Sequence, residues 1–144
     1  MSPSERDPTA PNEPAVSVVL VTAPDADEGA RLARALVEER LAACVNVVPG
    51  LRSVYRWQGE VEEAAEVLLV AKTRRDRVAA LAARVRELHP YDLPETLALD
   101  ASGGSAAYLD WVRAESTQCA WPRPSNTPQA RCRRTRTPCA TRTS

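Results

Sequence analysis

The chain has 144 residues, of which 44% are hydrophobic and 26% are charged, a composition typical of one soluble globular domain. Its apolar runs, such as residues 18–21 and 67–71, are far shorter than the roughly 20 residues that cross a bilayer, which excludes a transmembrane helix. Residues 117–144 hold six arginines and no acid, so the rest of this formally neutral chain carries 13 basic against 19 acidic side chains, which argues against nucleic-acid binding.

The body of the chain, residues 15–116, is predicted to be one domain that begins with a strand and a helix. Residues 15–23 form a continuous apolar run rich in valine, typical of a buried central strand. Asp25 and Glu28 then have the spacing of a capping box, which predicts a helix start. The buried face of that helix is predicted from its apolar periodicity to contain Leu32, Ala33, Leu36 and Val37.

A long hairpin is predicted next. Residues 44–57 and 60–72 are rich in β-branched side chains and flank the dipeptide at 58–59, while Pro49-Gly50 predicts a bulge or bend in the first strand. Beyond that bend Ser53, Tyr55 and Trp57 share one face, and the residues between them share the other. A domain this small cannot cover such a hairpin, so a partner subunit is predicted to cover the exposed aromatic side chains.

The second half of the body repeats the pattern of helix and strand. Thr73 and Asp76 suggest another capping box, followed by apolar positions 78, 81, 85 and 88 before Pro90 ends the helix. Residues 95–100 alternate as a strand does, and Ser105 is placed to cap a last helix over residues 106–113. The order β-α-β-β-α-β-α predicts an α+β, ferredoxin-like fold: an antiparallel four-stranded sheet with two helices on one face and an additional C-terminal helix.

Both ends of the chain lack hydrophobic periodicity. Residues 1–14 and 117–144 have too little apolar surface to offset the entropy of ordering, so disorder is predicted for both, the second being a basic tail. The first residues lack the basic start and apolar stretch of a secretory signal, which predicts a cytoplasmic protein. Cys119, Cys132 and Cys139 lie in the tail and only Cys44 in the body, so reduced thiols are expected.

The loop over residues 89–95 holds the only histidine, two prolines, a tyrosine and two acidic residues. Proline fixes its own backbone and restricts the preceding residue, so this loop is predicted to be rigid and to present its polar groups as a binding site would.

Six motifs in chain order carry a resemblance to a known family: VLVTAPD at 19–25, RLAACVN at 40–46, SVYRWQG at 53–59, LVAKT at 69–73, HPYDLPE at 89–95 and YLDW at 108–111. Together they closely resemble the CutA divalent-cation tolerance family over residues 15–116. The resemblance implies a homotrimer built like the PII signalling proteins, with the hairpin packed on a neighbour and with cavities between subunits. It also implies tolerance of divalent metals, copper especially.

The candidate metal ligands are His89, Cys44 and Glu95, with Asp92 as an alternative to Glu95. His89 could bind Cu²⁺ with oxygen from Asp92 or Glu95, or instead cap the end of the preceding helix. Cys44 could capture a soft metal ion through its sulfur, or be an inert thiol packed in the core.

Other residues are candidates for the intersubunit cavity. Tyr55, Trp57 and Trp111 are predicted to pack at an interface, with ligand stacking as the alternative. Lys72 could pair with Glu95 or hold an anionic ligand, and Tyr91 would join it in the cavity.

The predicted function is therefore binding. The first hypothesis is a trimeric divalent-cation tolerance protein that binds copper or another divalent ion, and the alternative is a PII-like regulator or scaffold holding a small ligand. Catalysis is not expected, because the turn at residues 23–27 lacks the arginine-bearing, phosphate-cradling loop of an acylphosphatase on this fold.

Overall fold

The computed structural model describes residues 14–117, and the element bounds follow the predicted order. They are β1 Val16–Ala23, α1 Ala26–Glu38, β2 Cys44–Trp57, β3 Glu60–Arg74, α2 Val78–Leu88, β4 Leu97–Asp100 and α3 Ala106–Glu115. Within the described range, no helix has the length and apolar character needed to cross a membrane. The predictions of disorder at both ends, and of reduced thiols at positions 119, 132 and 139, fall almost entirely outside the described residues.

The four strands form one antiparallel sheet in the order β2-β3-β1-β4. The apolar first strand is central, as its composition predicted, because it pairs with β3 on one side and β4 on the other. Helices α1 and α2 pack on one face of this sheet, so the ferredoxin-like α+β prediction is confirmed.

The main core lies between those two helices and the sheet, and its fully buried members include Val19, Val21, Leu32, Leu36, Leu69, Leu81 and Val85. A smaller cluster joins Val16 and Ala43 to Val112 of α3. The inclusion of Val37 in the buried face of α1 was wrong, since it is 39% exposed at the margin of the apolar stripe.

Two of the three predicted helix caps are confirmed. The backbone N–H of Glu28 donates to the Asp25 carboxylate at 2.8 Å, and the side chain of Ser105 caps α3 in the same way. The capping box at Thr73 was wrong: β3 continues to Arg74, and the buried Thr73 hydroxyl donates to the Leu41 carbonyl at 2.7 Å. Helix α2 begins only after a 3-10 turn, with no side-chain cap.

The hairpin has the predicted turn and bulge. Gln58 and Gly59 have φ values of 52° and 85°, as a two-residue type I′ turn requires. Gly50, with φ of 88°, lies where the pairing shifts register between Val48 and Leu51. The arm, defined as residues 51–66 of the hairpin, extends beyond this bulge.

The sheet face turned away from α1 and α2, here called the open face, is apolar and uncovered in one chain. Cross-strand partners in register share a face, and Leu97 and Leu99 pair with alternate residues of β1. The register places on this face Val18, Leu20, Val48, Leu68, Val70, Leu97 and Leu99. Leu97 and Leu99 are 55% and 52% exposed. The sequence analysis predicted exposed apolar surface only on the arm and not on this face.

Candidate functional site

A cleft of about 640 Å³ lies between the arm and the loop that follows α2. The arm lines it with Tyr55, Trp57, Glu62 and Glu66. The loop lines it with Tyr91, Asp92, Leu93 and Glu95. In the arm, Tyr55 is in register with Glu62, so aromatic and acidic side chains occupy the same face of the hairpin.

His89 holds the loop in place. Its side chain is 7% exposed, and its two ring nitrogens both have partners within the chain. Nδ1 accepts the backbone N–H of Tyr91 at 3.1 Å, which leaves the proton on Nε2 to be donated to the Thr22 carbonyl at 2.7 Å. The ring therefore joins the loop to β1. The structural role that the sequence suggested for His89, capping the carbonyls of the preceding helix, is not the one it has.

Tyr91 connects the loop to the floor of the cleft. Its ring lies against His89, with the ring centroids 4.6 Å apart, and its hydroxyl donates to Glu66 Oε2 at 2.7 Å. Burial, with the hydrogen bond to Glu66, raises the pKa of Tyr91 above its ordinary value. The hydroxyl accordingly stays a proton donor to that carboxylate.

Glu66 is the most enclosed acidic group of the cleft. It is 8% exposed, and among residues 14–117 its only side-chain hydrogen-bond partner is Tyr91, with no basic side chain paired to it. Burial, and then the charge of Glu66, raise the pKa of Glu95 above its ordinary value. The cleft therefore holds negative charge that the described part of the chain does not neutralise.

Replacing Glu95 with Gln is expected to make the protein more stable at neutral pH. Because the folded pKa of Glu95 is raised, the folded state binds more protons than the unfolded state just above the ordinary pKa of 4.5. Wild-type stability then falls as pH rises through that window. The stability difference between E95Q and wild type should be near zero below the window and modest above it, since the side chain keeps solvent access.

Urea denaturation at a series of pH values measures this difference. Glu60→Gln, at the exposed end of the hairpin, is the control for the loss of one charge. A stability difference for E95Q that stays flat or shrinks with rising pH would contradict the expectation.

Cys44, Lys72 and Trp111 lie at the other end of the molecule. Lys72 is six residues along β3 from Glu66, about 20 Å at the usual strand rise. Its ammonium donates to Asn46, and Cys44 is its cross-strand neighbour, half-buried at the start of β2. Trp111 packs against Tyr108 of α3, with ring centroids 5.6 Å apart.

One chain thus brings together only part of the predicted cavity set. Tyr55, Trp57 and Tyr91 share the cleft, whereas Lys72 and Trp111 do not line it. Within one chain the Lys72 ammonium is bonded to Asn46 in place of the Glu95 carboxylate that the sequence suggested. Their meeting in a cavity between subunits stays a prediction.

The predicted metal ligands do not form a complete site in one chain. Within residues 14–117, no group of three or more His, Cys, Asp or Glu side chains is arranged to hold an ion. His89 already uses both ring nitrogens, and Cys44 lies at the far end of the sheet from Glu95. Their roles as ligands stay predictions.

The sequence interpretation missed Glu62 and Glu66. The signal was present, because glutamates recur at positions 60, 62 and 66 with the period of a strand. Counting back from the two-residue turn pairs Glu60 with Trp57 and Glu62 with Tyr55, which places the acidic and aromatic side chains together.

These features define a class: a small ferredoxin-like α+β protein with one sheet face left open and an acidic, aromatic cleft beside a projecting hairpin. The sequence model of the family described as CutA1 divalent ion tolerance protein matches residues 17–115. The chain belongs to this family, as the six motifs predicted.

Individual relatives agree with that assignment. The Divalent-cation tolerance protein CutA of Thermus thermophilus is 55% identical over 96 residues, which cover 67% of this chain and 93% of the relative. Protein CutA, chloroplastic, of Arabidopsis thaliana is 48% identical over 96 residues, which cover 67% of this chain and about half (53%) of the plant protein. The crystal structure of CutA1 from Oryza sativa superposes with a TM-score of 0.71 at 44% identity, covering 74% of this chain and 97% of that one.

Proposed function

We propose that this chain is the subunit of a cytoplasmic homotrimer that confers tolerance of divalent cations by binding them, without catalysing a reaction. Membership of the family supports tolerance of divalent ions, and the relative from Thermus thermophilus carries that name. The uncovered open face is the observation that carries the proposal, because association of copies would remove its exposed leucines and valine from water.

Association follows from the chemistry of the open face. An apolar sheet surface left in water forfeits about 25 cal/mol for each Å² that burial would remove from solvent. Leu97 and Leu99 are each more than half exposed, and Val48 is 40% exposed on the same face. Identical copies offer matching apolar surfaces, and the number three is taken from the family resemblance.

Cation binding is supported by the charge of the cleft. Residues 1–116 have an excess of six acidic side chains, and the cleft concentrates carboxylates from the arm and from the loop. Carboxylate oxygens suit hard divalent ions. Copper would also need nitrogen or sulfur ligands, such as those of His89 and Cys44. Because residues 14–117 of one chain assemble no group of three such donors, we propose that the ion binds where two subunits meet.

Two measurements test this proposal. Sedimentation equilibrium at low concentration should give a species with three times the 15.7 kDa chain mass. Calorimetric titration with Cu²⁺ should show binding that Glu95→Gln weakens by about tenfold, the loss of one charged ligand. The control is Glu63→Gln, an exposed glutamate paired with Arg52 on the other face of the arm.

A monomer that remains folded would overturn the assembly, and equal Cu²⁺ affinity in the two variants would remove the cleft from metal binding. The His89→Ala variant is measured alongside them. Unchanged Cu²⁺ affinity there, in a protein that stays trimeric, would remove His89 from the set of ligands.

A second function, a PII-like trimer that holds a small ligand, is favoured by the size and lining of the cleft. About 640 Å³ is far more space than one ion needs and falls in the range of small-molecule sites. The two-residue hairpin turn leaves no long loop to move, so such a trimer would act as a rigid scaffold.

A further inference from the structure

The buried carboxylate of Glu66 is the feature that the proposed metal function leaves unexplained. A charge taken out of water is costly unless an opposite charge or several hydrogen bonds compensate it. In the described chain Glu66 receives one hydrogen bond, from Tyr91 to Oε2, and no basic side chain reaches it. Glu66 lines the cleft, and among residues 14–117 it has no second donor, so the site calls for a positively charged occupant.

The walls around Glu66 are aromatic. Tyr55, Trp57 and Tyr91 line the same cleft. Aromatic faces attract cations through their quadrupoles. A carboxylate enclosed by aromatic rings is the arrangement by which proteins recognise alkylated ammonium groups.

The number of ligands that a divalent metal ion needs argues against such an ion as the occupant of the cleft at Glu66. Divalent ions need several oxygen ligands in a defined geometry, and one oxygen of Glu66 already accepts the Tyr91 hydroxyl. An organic ammonium instead makes a single charged contact and covers the rest of its surface with apolar and aromatic groups. The volume of the cleft accommodates such a molecule.

We propose that the cleft binds a small organic cation, with its ammonium group against Glu66 and its alkyl groups against Tyr55, Trp57 and Tyr91. The proposal uses the cleft of the proposed function but requires neither metal binding nor a ligand from a neighbouring chain. Glu62 and Glu95 extend the negative charge toward the mouth of the cleft, where a second polar group of the ligand would lie.

Choline is the probe for this site, and its neutral isostere, with carbon in place of the quaternary nitrogen, is the matched ligand. Isothermal titration calorimetry on the full chain should show choline binding at least about tenfold tighter than the isostere, the effect of one buried charge pair with cation–π contacts. Glu66→Gln keeps an acceptor for Tyr91 and should abolish that preference. Glu63→Gln, on the opposite face of the arm, should retain it.

Trp57→Leu provides a second variant if E66Q does not fold, and it should weaken choline binding several-fold without changing the charge of the cleft. Equal binding of choline and its isostere, or no binding of either by wild-type protein, would overturn the proposal. The proposal would also be overturned if E66Q weakened the oligomer and left choline binding unchanged. That result would show that a basic group of a neighbouring copy neutralises Glu66. Sedimentation and Cu²⁺ titration of wild type, measured separately, report whether the proposed function stands when this inference fails.

Discussion

Replacing Leu99 with Glu is expected to convert the assembled protein into monomers at micromolar concentration. Leu99 is half exposed in one chain, on the edge strand β4 of the open face, and burying the exposed half between copies would contribute about 1–1.5 kcal/mol for each copy. A carboxylate there adds the cost of desolvating a charge, which exceeds that gain. Sedimentation equilibrium and gel filtration of L99E against wild type measure the change.

Val37→Glu is the matched control for L99E. Val37 is similarly exposed, at 39%, but lies on α1 at the side of the sheet already covered by helices. It should leave the oligomeric mass unchanged. If both variants dissociate, or neither does, the open face is not the surface through which copies associate.

Replacing His89 with Ala is expected to destabilise the protein by about 2–4 kcal/mol. The substitution removes a buried ring and leaves two buried backbone groups without partners, the Thr22 carbonyl and the Tyr91 N–H. Loss of these contacts also frees the loop that carries Tyr91 and Glu95 to the cleft. Chemical denaturation at one fixed protein concentration measures the free energy, because association contributes to the stability of an oligomer.

Arg86→Ala is the control for H89A. Arg86 is exposed in the last turn of α2, the helix that His89 follows, and its replacement should change stability by less than about 0.5 kcal/mol. His89→Gln retains an amide donor for the Thr22 carbonyl and should recover part of the loss. Stability equal to wild type in H89A would show that the ring is not the anchor of the loop.

The elements that local chemistry determines could be predicted from the sequence. The turn at Gln58-Gly59, the bulge at Gly50 and the cap at Asp25 each depend on residues within a few positions of one another. The wrong cap at Thr73 had an equally good local signal. Thr73 instead stays within β3, which continues to Arg74, and its buried hydroxyl donates to the carbonyl of Leu41, 32 residues away. Because α2 begins only at Val78, Thr73 is not at the start of the helix and does not cap it.

The cleft could be predicted only in part, for the same reason. The loop at His89 and the aromatic side chains of the arm are visible in the sequence as unusual residues. The bond from Tyr91 to Glu66 spans 25 residues and depends on where the loop crosses the arm. The sequence suggested a pair between Lys72 and Glu95 because Lys72 ends the predicted third strand next to a helix start. The strand register instead puts Lys72 beside Asn46.

The bulge at Gly50 decides the chemical character of the cleft. Between Val48 and Leu51 the strand β2 advances three residues while β3 advances two, so one residue is extra. Without it, every later side chain of β2 would turn to the other side of the sheet. Arg52 and Arg56 would then face the glutamates of β3 in place of Tyr55 and Trp57. Salt bridges between the arginines and the glutamates would fill the cleft. The negative charge of this cleft thus depends on the one extra residue of the bulge. Deleting a single residue there would turn two arginines toward the glutamates, with no substitution at any position that lines the cleft.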